Sequence, residues 1–186
     1  PLLQILVRNI LADRFTWEQV GYWQAVSKVS EAYLLFVTMA ISIYYLPKLS
    51  SITEKKPFVD EIKTAYMYLI PVVSALALGI YCFRDLITWI LFSDEFTGSL
   101  YLYAPQLIGD VIKVASFILS FIMLAKAMTK TFLLSEIFFG ATYVAWVYFL
   151  TPTFGLIGAM YAFVVNYLLY FIFTALVAAR FIRGMK

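Results

Sequence analysis

Between Thr64 and Phe83 the chain runs for twenty residues without a charged side chain. At 1.5 Å per residue a helix of that length covers about 30 Å, the thickness of the hydrocarbon core of a bilayer. A second uncharged run, from Ile137 to Ala179, is about twice as long and contains Thr151-Pro152-Thr153-Phe154-Gly155. It is expected to form two spans joined by a tight turn at those residues. Composition agrees with a lipid environment. Hydrophobic residues make up 63% of the chain and charged residues 13%, with a mean hydropathy of +0.88. Soluble domains average roughly 45–50% apolar and about 25% charged. The chain is therefore read as an all-α integral membrane protein.

The remaining spans follow from the same count. Residues 2–11 are apolar except for Gln4, Arg8 and Asn9 and are too short to cross, so they predict a partial helix. Asp13–Glu18 reads as a loop, followed by a long helix over 20–45 that Pro47 ends. Lys48–Lys63 reads as a polar connector with four lysines and Pro57. Helices are expected at about 64–83, 101–126, 132–150 and 156–179. Leu86–Phe92 is too short to span and is expected to extend a helix or lie at the interface. Residues 1–186 thus form one antiparallel bundle, a single lobe of five full helices and one partial. The sequence opens at Pro1 without an initiator methionine, a basic leader or a cleavage site. It is expected to be a piece of a longer protein.

Charge in the connectors alternates. Lys48, Lys55, Lys56 and Lys63 share one connector, Lys126 and Lys130 another, and Arg180, Arg183 and Lys186 the tail. The intervening connectors carry Arg84 with Asp85, Asp94 and Glu95, or no charge at all. The positive-inside rule then places the lysine-rich side and the C-terminus in the cytoplasm. Basic residues grouped at helix ends, with a net charge of only +3, point to membrane orientation and not to nucleic acid. There is no histidine and one cysteine, Cys82, which excludes histidine–cysteine zinc sites, histidine bases and intrachain disulfides. No metal or cofactor is expected.

Four charges sit where hydrocarbon is expected. Lys28 with Glu31, and Asp110 with Lys113, are opposite-charge pairs at i,i+3 spacing, so each pair shares a helix face. Counted from the expected helix starts, Lys28 and Glu31 lie about 12–17 Å deep and Asp110 and Lys113 about 14–18 Å deep. A charge at mid-bilayer costs at least about 2.5–3.5 kcal/mol. One account is an intrahelical ion pair that fixes packing. The other is a water-filled cavity, which relieves a desolvation cost that such a pair rarely recovers. Arg8 adds a cation with the same ambiguity, and Glu136 is placed at the mouth of such a cavity. Asn166, Gln24 and Gln106 are expected to hydrogen-bond between helices.

Aromatic residues make up 19% of the chain. Trp17, Trp23, Tyr101 and Tyr103 suit an interfacial belt. Tyr33, Tyr44 and Tyr45 are read as belt or lipid-contact residues, with a sugar path as the alternative. Gly155, Gly158, Ala159 and Ala162 would allow close helix contact. No Walker sequence or catalytic signature is present, and the Asp94-Glu95 loop is short for an envelope glycosyltransferase or ligase. No enzymatic activity is expected.

Several separated stretches carry a family resemblance. They are Trp17-Glu18-Gln19-Val20-Gly21-Tyr22-Trp23-Gln24, Ser30-Glu31-Ala32-Tyr33-Leu34, Tyr45-Leu46-Pro47-Lys48-Leu49-Ser50, Thr53-Glu54-Lys55, and Gln106-Leu107-Ile108-Gly109-Asp110-Val111-Ile112-Lys113. In this order they resemble the polysaccharide-lipid flippases of bacterial envelopes. The branch is that of O-antigen translocases and enterobacterial common antigen lipid III flippases, within the multidrug/oligosaccharidyl-lipid/polysaccharide exporter superfamily.

The resemblance implies the C-terminal lobe of a twelve-helix transporter in the bacterial inner membrane. It also implies flipping of an undecaprenyl-pyrophosphate-linked oligosaccharide by alternating access. Its implied partners are an N-terminal lobe, membrane lipid, and a polysaccharide polymerase with a chain-length regulator. Arg8, Glu31, Asp110 and Lys113 match the family pattern, whereas Lys28 departs from it. A multidrug antiporter of the same superfamily and a non-transporting scaffold of a polysaccharide assembly complex are the alternative functions.

Overall fold

A computed structural model describes residues 2–185. The partial helix is α1, Leu2–Ala12. Thr16 then caps α2, Trp17–Ala40. The Gln19 N–H donates to Thr16 Oγ1 at 3.3 Å, and the Thr16 N–H donates to Gln19 Oε1 at 3.2 Å, forming a capping box. Pro47 does not end this helix. A π-helical turn, Ile41–Tyr45, follows α2 directly, with the Leu46 N–H bonded to the Ile41 carbonyl, and α3, Leu46–Ser51, continues the rod. The wide turn shifts the hydrogen-bond ladder so that Pro47 falls in the first turn of α3. Its missing N–H costs little there. The Tyr45 hydroxyl donates to the Ile118 carbonyl at 3.2 Å and ties this segment to α6 (Tyr103–Ala125).

The expected connector Lys48–Lys63 is also mostly helical. Helix α4 begins at Lys55 and runs to Cys82, well before the expected Thr64. Phe58, Ile62 and Ala65 recur at helical spacing and are buried, while the intervening lysines had masked the pattern from a charge count. Lys48 pairs with the buried Glu61 at 2.6 Å, which fastens α3 to α4. Lys126 donates to the Ile52 carbonyl at 2.6 Å and the Ser50 carbonyl at 3.3 Å, so a cation closes the carbonyl end of α3.

Leu86–Phe92 forms most of a separate short helix, α5, Arg84–Phe92. Its Thr88 is buried and hydrogen-bonded to the Tyr103 hydroxyl at 3.1 Å, while Leu86, Trp89, Ile90 and Leu91 are exposed. A 3-10 segment, Asp94–Leu102, leads into α6. Then come α7, Thr129–Phe154, and α8, Ile157–Gly184. Among the described residues five rods are long and apolar enough to cross a membrane, beginning at Trp17, Lys55, Asp94, Thr129 and Ile157. Their outward faces are rich in large apolar side chains such as Phe36, Leu78, Ile137 and Leu176. This is an all-α integral membrane bundle.

The turn expected at Thr151–Gly155 is shorter than the sequence implied, because α7 passes through Pro152 and stops only at Gly155, which has φ +71°. Proline at 152 deprives the Tyr148 carbonyl of its i+4 donor. Arg14, from the α1–α2 loop, replaces it: Nη1 lies 2.6 Å from the Tyr148 carbonyl and 2.8 Å from Thr151 Oγ1. Gly158 supports the same corner, since a Cβ there would stand 2.5 Å from the Leu150 carbonyl oxygen. Gly158, Ala159 and Ala162 are all buried within this bundle.

The interior falls into two apolar clusters. One includes Val7, Val20, Trp23, Val26, Leu107 and Met160. The other includes Leu34, Val37, Ile41, Phe58, Ile118 and Ile122. Along α2 the division falls at Ser30–Tyr33, and along α6 at Asp110, so a polar layer separates them.

Two measurements of thermal unfolding in detergent check this packing. Arg14→Ala is expected to destabilise by about 1–2 kcal/mol through the orphaned carbonyl. In a Pro152→Ala background, which restores the backbone N–H, the same change should cost about 1 kcal/mol less. Gly158→Ala is expected to lose about 1–3 kcal/mol by overpacking. Gly79→Ala, with nothing within 4 Å of the added Cβ, is the neutral control.

Candidate functional site

Helices α1, α2, α6, α7 and α8 enclose an open cavity of about 660 Å³ beside the polar layer. Five of the six charged residues singled out in the sequence line it: Arg8, Lys28, Glu31, Lys113 and Glu136. Asp110 does not. It is completely buried behind the cavity wall.

The two sequence pairs behave differently. Lys28 and Glu31 form the ion pair their spacing allows, Nζ to Oε2 at 2.7 Å, with both side chains substantially exposed to the cavity side. Glu31 also accepts a hydrogen bond from Gln4 of α1. Asp110 and Lys113 do not pair. Asp110 instead lies within hydrogen-bond reach of three neutral donors. Ser30 Oγ is 2.7 Å from each carboxylate oxygen, the Tyr33 hydroxyl is 2.9 Å from Oδ2, and Gln106 Nε2 is 3.0 Å from Oδ1. Gln106 Nε2 also lies 3.1 Å from Ser30 Oγ. Spacing within a helix brings Lys113 near, but donors from α2 reach the carboxylate directly and leave the lysine free to turn away.

Lys113 turns toward aromatic rings. Its ammonium lies 5.4 Å from the centroid of Tyr167 and 5.7 Å from those of Phe117 and Phe163. Ring faces attract a cation, more so where water is scarce. Among the described residues, neither Arg8 nor Lys113 has a carboxylate partner or a hydrogen-bond acceptor. Both acids of the cavity are engaged, Glu31 as above and Glu136 by the Tyr170 hydroxyl at 2.6 Å. The cavity therefore offers two cations outside any salt bridge and two acids that each already accept a hydrogen bond.

The neutral expectations divide. Asn166 contacts Thr142 Oγ1 of α7 at 2.8 Å and Gln106 joins α2, as interhelical roles require, while Gln24 lines the cavity. Trp23 and Tyr103 are not belt residues. Both are buried, and Trp23 borders the cavity. Trp17 and Tyr101 are exposed at the same end of the bundle. None of Tyr33, Tyr44 and Tyr45 lines the cavity. Tyr33 serves Asp110, Tyr45 the Ile118 carbonyl, and Tyr44 is exposed beside Lys48.

The aromatic residues that do line the cavity escaped the sequence argument. Phe139 and Tyr143 on α7, and Phe163, Tyr167 and Tyr170 on α8, recur at three- and four-residue spacing and so share faces. That spacing, together with Glu136 three residues before Phe139, was the available signal. It was diluted by the many lipid-facing aromatics of the same helices.

Removing the acceptor shared by three buried donors is expected to be costly. Asp110→Ala should destabilise the detergent-solubilised protein by about 3 kcal/mol or more. Lys113→Met, which gives up only cavity contacts, should stay within about 1 kcal/mol of the parent. Equal losses in the two variants would contradict the division between clasp and cavity.

The chain is 36% identical over 171 residues to the Lipid III flippase of Escherichia coli (strain K12), a match covering 92% of this chain and 41% of that protein. The Lipid III flippase of Shigella flexneri matches to the same extent, 36% over 171 residues. The chain thus spans about two fifths of the length of the curated relatives it matches, 41% in each case. No protein-family model and no solved structure matches it.

Proposed function

We propose that this chain is the C-terminal lobe of a flippase that carries a lipid-linked oligosaccharide across the bacterial inner membrane. The observation that carries the reading is the membrane-embedded cavity in which, among the described residues, Arg8 and Lys113 form no salt bridge. A cation kept in a membrane without a partner is costly unless water or an anion meets it. A pyrophosphate-linked headgroup supplies that anion, while its polyprenyl tail remains in lipid. Similarity to proteins named Lipid III flippase supports the same substrate class.

In this account the cavity is half of a larger one. A second lobe of the same protein supplies the opposite wall, and the two lobes open alternately to the cytoplasmic and periplasmic leaflets. Arg8 and Lys113 meet the pyrophosphate or acidic sugars. The Lys28–Glu31 pair and Glu136 exchange hydrogen bonds with hydroxyls. The lysine-rich ends and the C-terminus lie in the cytoplasm, where the O-antigen or enterobacterial common antigen precursor is loaded. An antiporter for cationic drugs fits less well, because cations outnumber acids in the cavity lining, Arg8, Lys28 and Lys113 against Glu31 and Glu136.

Reconstituted full-length protein tests the proposal. Arg8→Ala and Lys113→Ala are each expected to slow translocation of an undecaprenyl-pyrophosphate oligosaccharide by at least about tenfold, with Lys113→Arg recovering part of the rate. Near-parental rates in both alanine variants, each stably inserted, would overturn it.

A further inference from the structure

The cavity has two chemically distinct walls. On one side α1 and α2 present Gln4, Arg8, Gln24, Ser27, Lys28 and Glu31. On the other, rings from α7 and α8 touch in a continuous series. Tyr143 and Phe163 have centroids 6.0 Å apart, Phe163 and Tyr167 4.8 Å, Tyr167 and Tyr170 6.4 Å, and Tyr170 and Phe139 5.0 Å. Tyr143, Phe163 and Tyr167 are only half-buried, so part of each ring faces the cavity. Among the described residues the Tyr167 hydroxyl has no hydrogen-bond partner, although its ring sits within the membrane-spanning part of α8. Lys113 enters this aromatic wall from α6, so its charge lies at the rings and not at the opposite wall.

We propose that the α7–α8 aromatic series is the sugar-binding face of this cavity, with Tyr143 and Tyr167 as its specificity-determining residues. This inference rests on the flippase reading above. A pyranose ring has an aliphatic C–H face with slight positive charge and a rim of hydroxyls. Aromatic faces carry the opposite quadrupole, so the C–H face stacks on them while the hydroxyls turn to the amide and hydroxyl groups of α1 and α2. Tyrosine adds a rigid, low-entropy surface and a polar tip. The free Tyr167 hydroxyl and the Glu136–Tyr170 pair give hydrogen-bonding positions at the edge of the stack.

An acyl chain would match the aromatic wall but would leave the charged wall facing hydrocarbon. An organic cation would meet Lys113 among the rings and be repelled. A glycan joined to an anionic group satisfies both walls, with its phosphates at Arg8 and Lys113 and its sugars along α7–α8.

The test uses purified full-length protein and two probes. One is undecaprenyl pyrophosphate, and the other is the same lipid carrying an N-acetylglucosamine disaccharide. The parent is expected to bind the glycosylated lipid about tenfold more tightly than the bare one. Tyr167→Leu and Tyr143→Leu should each abolish most of that preference, read as the ratio of the two affinities. Tyr167→Phe should keep most of it, and Lys113→Met should weaken both lipids together. A preference retained in both leucine variants, or absent from the parent, overturns the aromatic face and leaves the flippase reading standing. Binding of neither lipid by the parent overturns both.

Discussion

Asp110 accepts from three donors at the polar layer between the two apolar clusters. A carboxylate in that setting is costly unless its lone pairs are filled, and Ser30, Tyr33 and Gln106 fill them from two helices. The clasp therefore fixes the rotation of α2 against α6. Ser30 and Gln106 form part of the cavity wall and hold the carboxylate behind it. With α2 set, Lys28 and Glu31 face the cavity. With α6 set, Lys113, one helical turn beyond Asp110, is directed into the aromatic wall.

The ends of α2, α3 and α7 show related devices, in which a backbone irregularity is met locally or by a side chain from elsewhere. Pro47 is absorbed by the π turn before it, and Tyr45 fastens that turn to α6. Pro152 is tolerated because Arg14 reaches the carbonyl it frees. Lys126 closes the end of α3. In lipid an unsatisfied backbone group has no water to turn to, so these contacts allow proline inside membrane rods. They also explain why the rods are longer than their uncharged cores.

What was legible in the sequence was what hydropathy records directly: the number of spans, their order, and the charges that do not belong in lipid. Five of those charges do converge on one cavity, because helical periodicity fixes which face they occupy. The limits of α2 and α4 were not legible, since Pro47 and the lysines around Phe58 look like breaks when read locally. The partners of Asp110 were not legible for a related reason. Spacing names the neighbour on the same helix, Lys113, but says nothing of Ser30 and Tyr33, some eighty residues away. The aromatic wall was hidden because lipid-facing and cavity-facing rings are the same residue types.

The central claim is that the clasp separates a dry helix interface from a water-filled cavity within the membrane, and accessibility to an aqueous thiol reagent measures it most directly. In full-length protein with native cysteines removed, including the exposed Cys82, single cysteines would be placed at Ser27 and Ser116. Ser27 lines the cavity, whereas Ser116 is buried in α6, with its Oγ 3.2 Å from the Tyr167 carbonyl oxygen of α8. A charged, membrane-impermeant reagent applied to native membranes is predicted to label the cysteine at 27 and not that at 116. Protection of both positions would mean that the polar residues only pack a closed bundle, and would contradict the account.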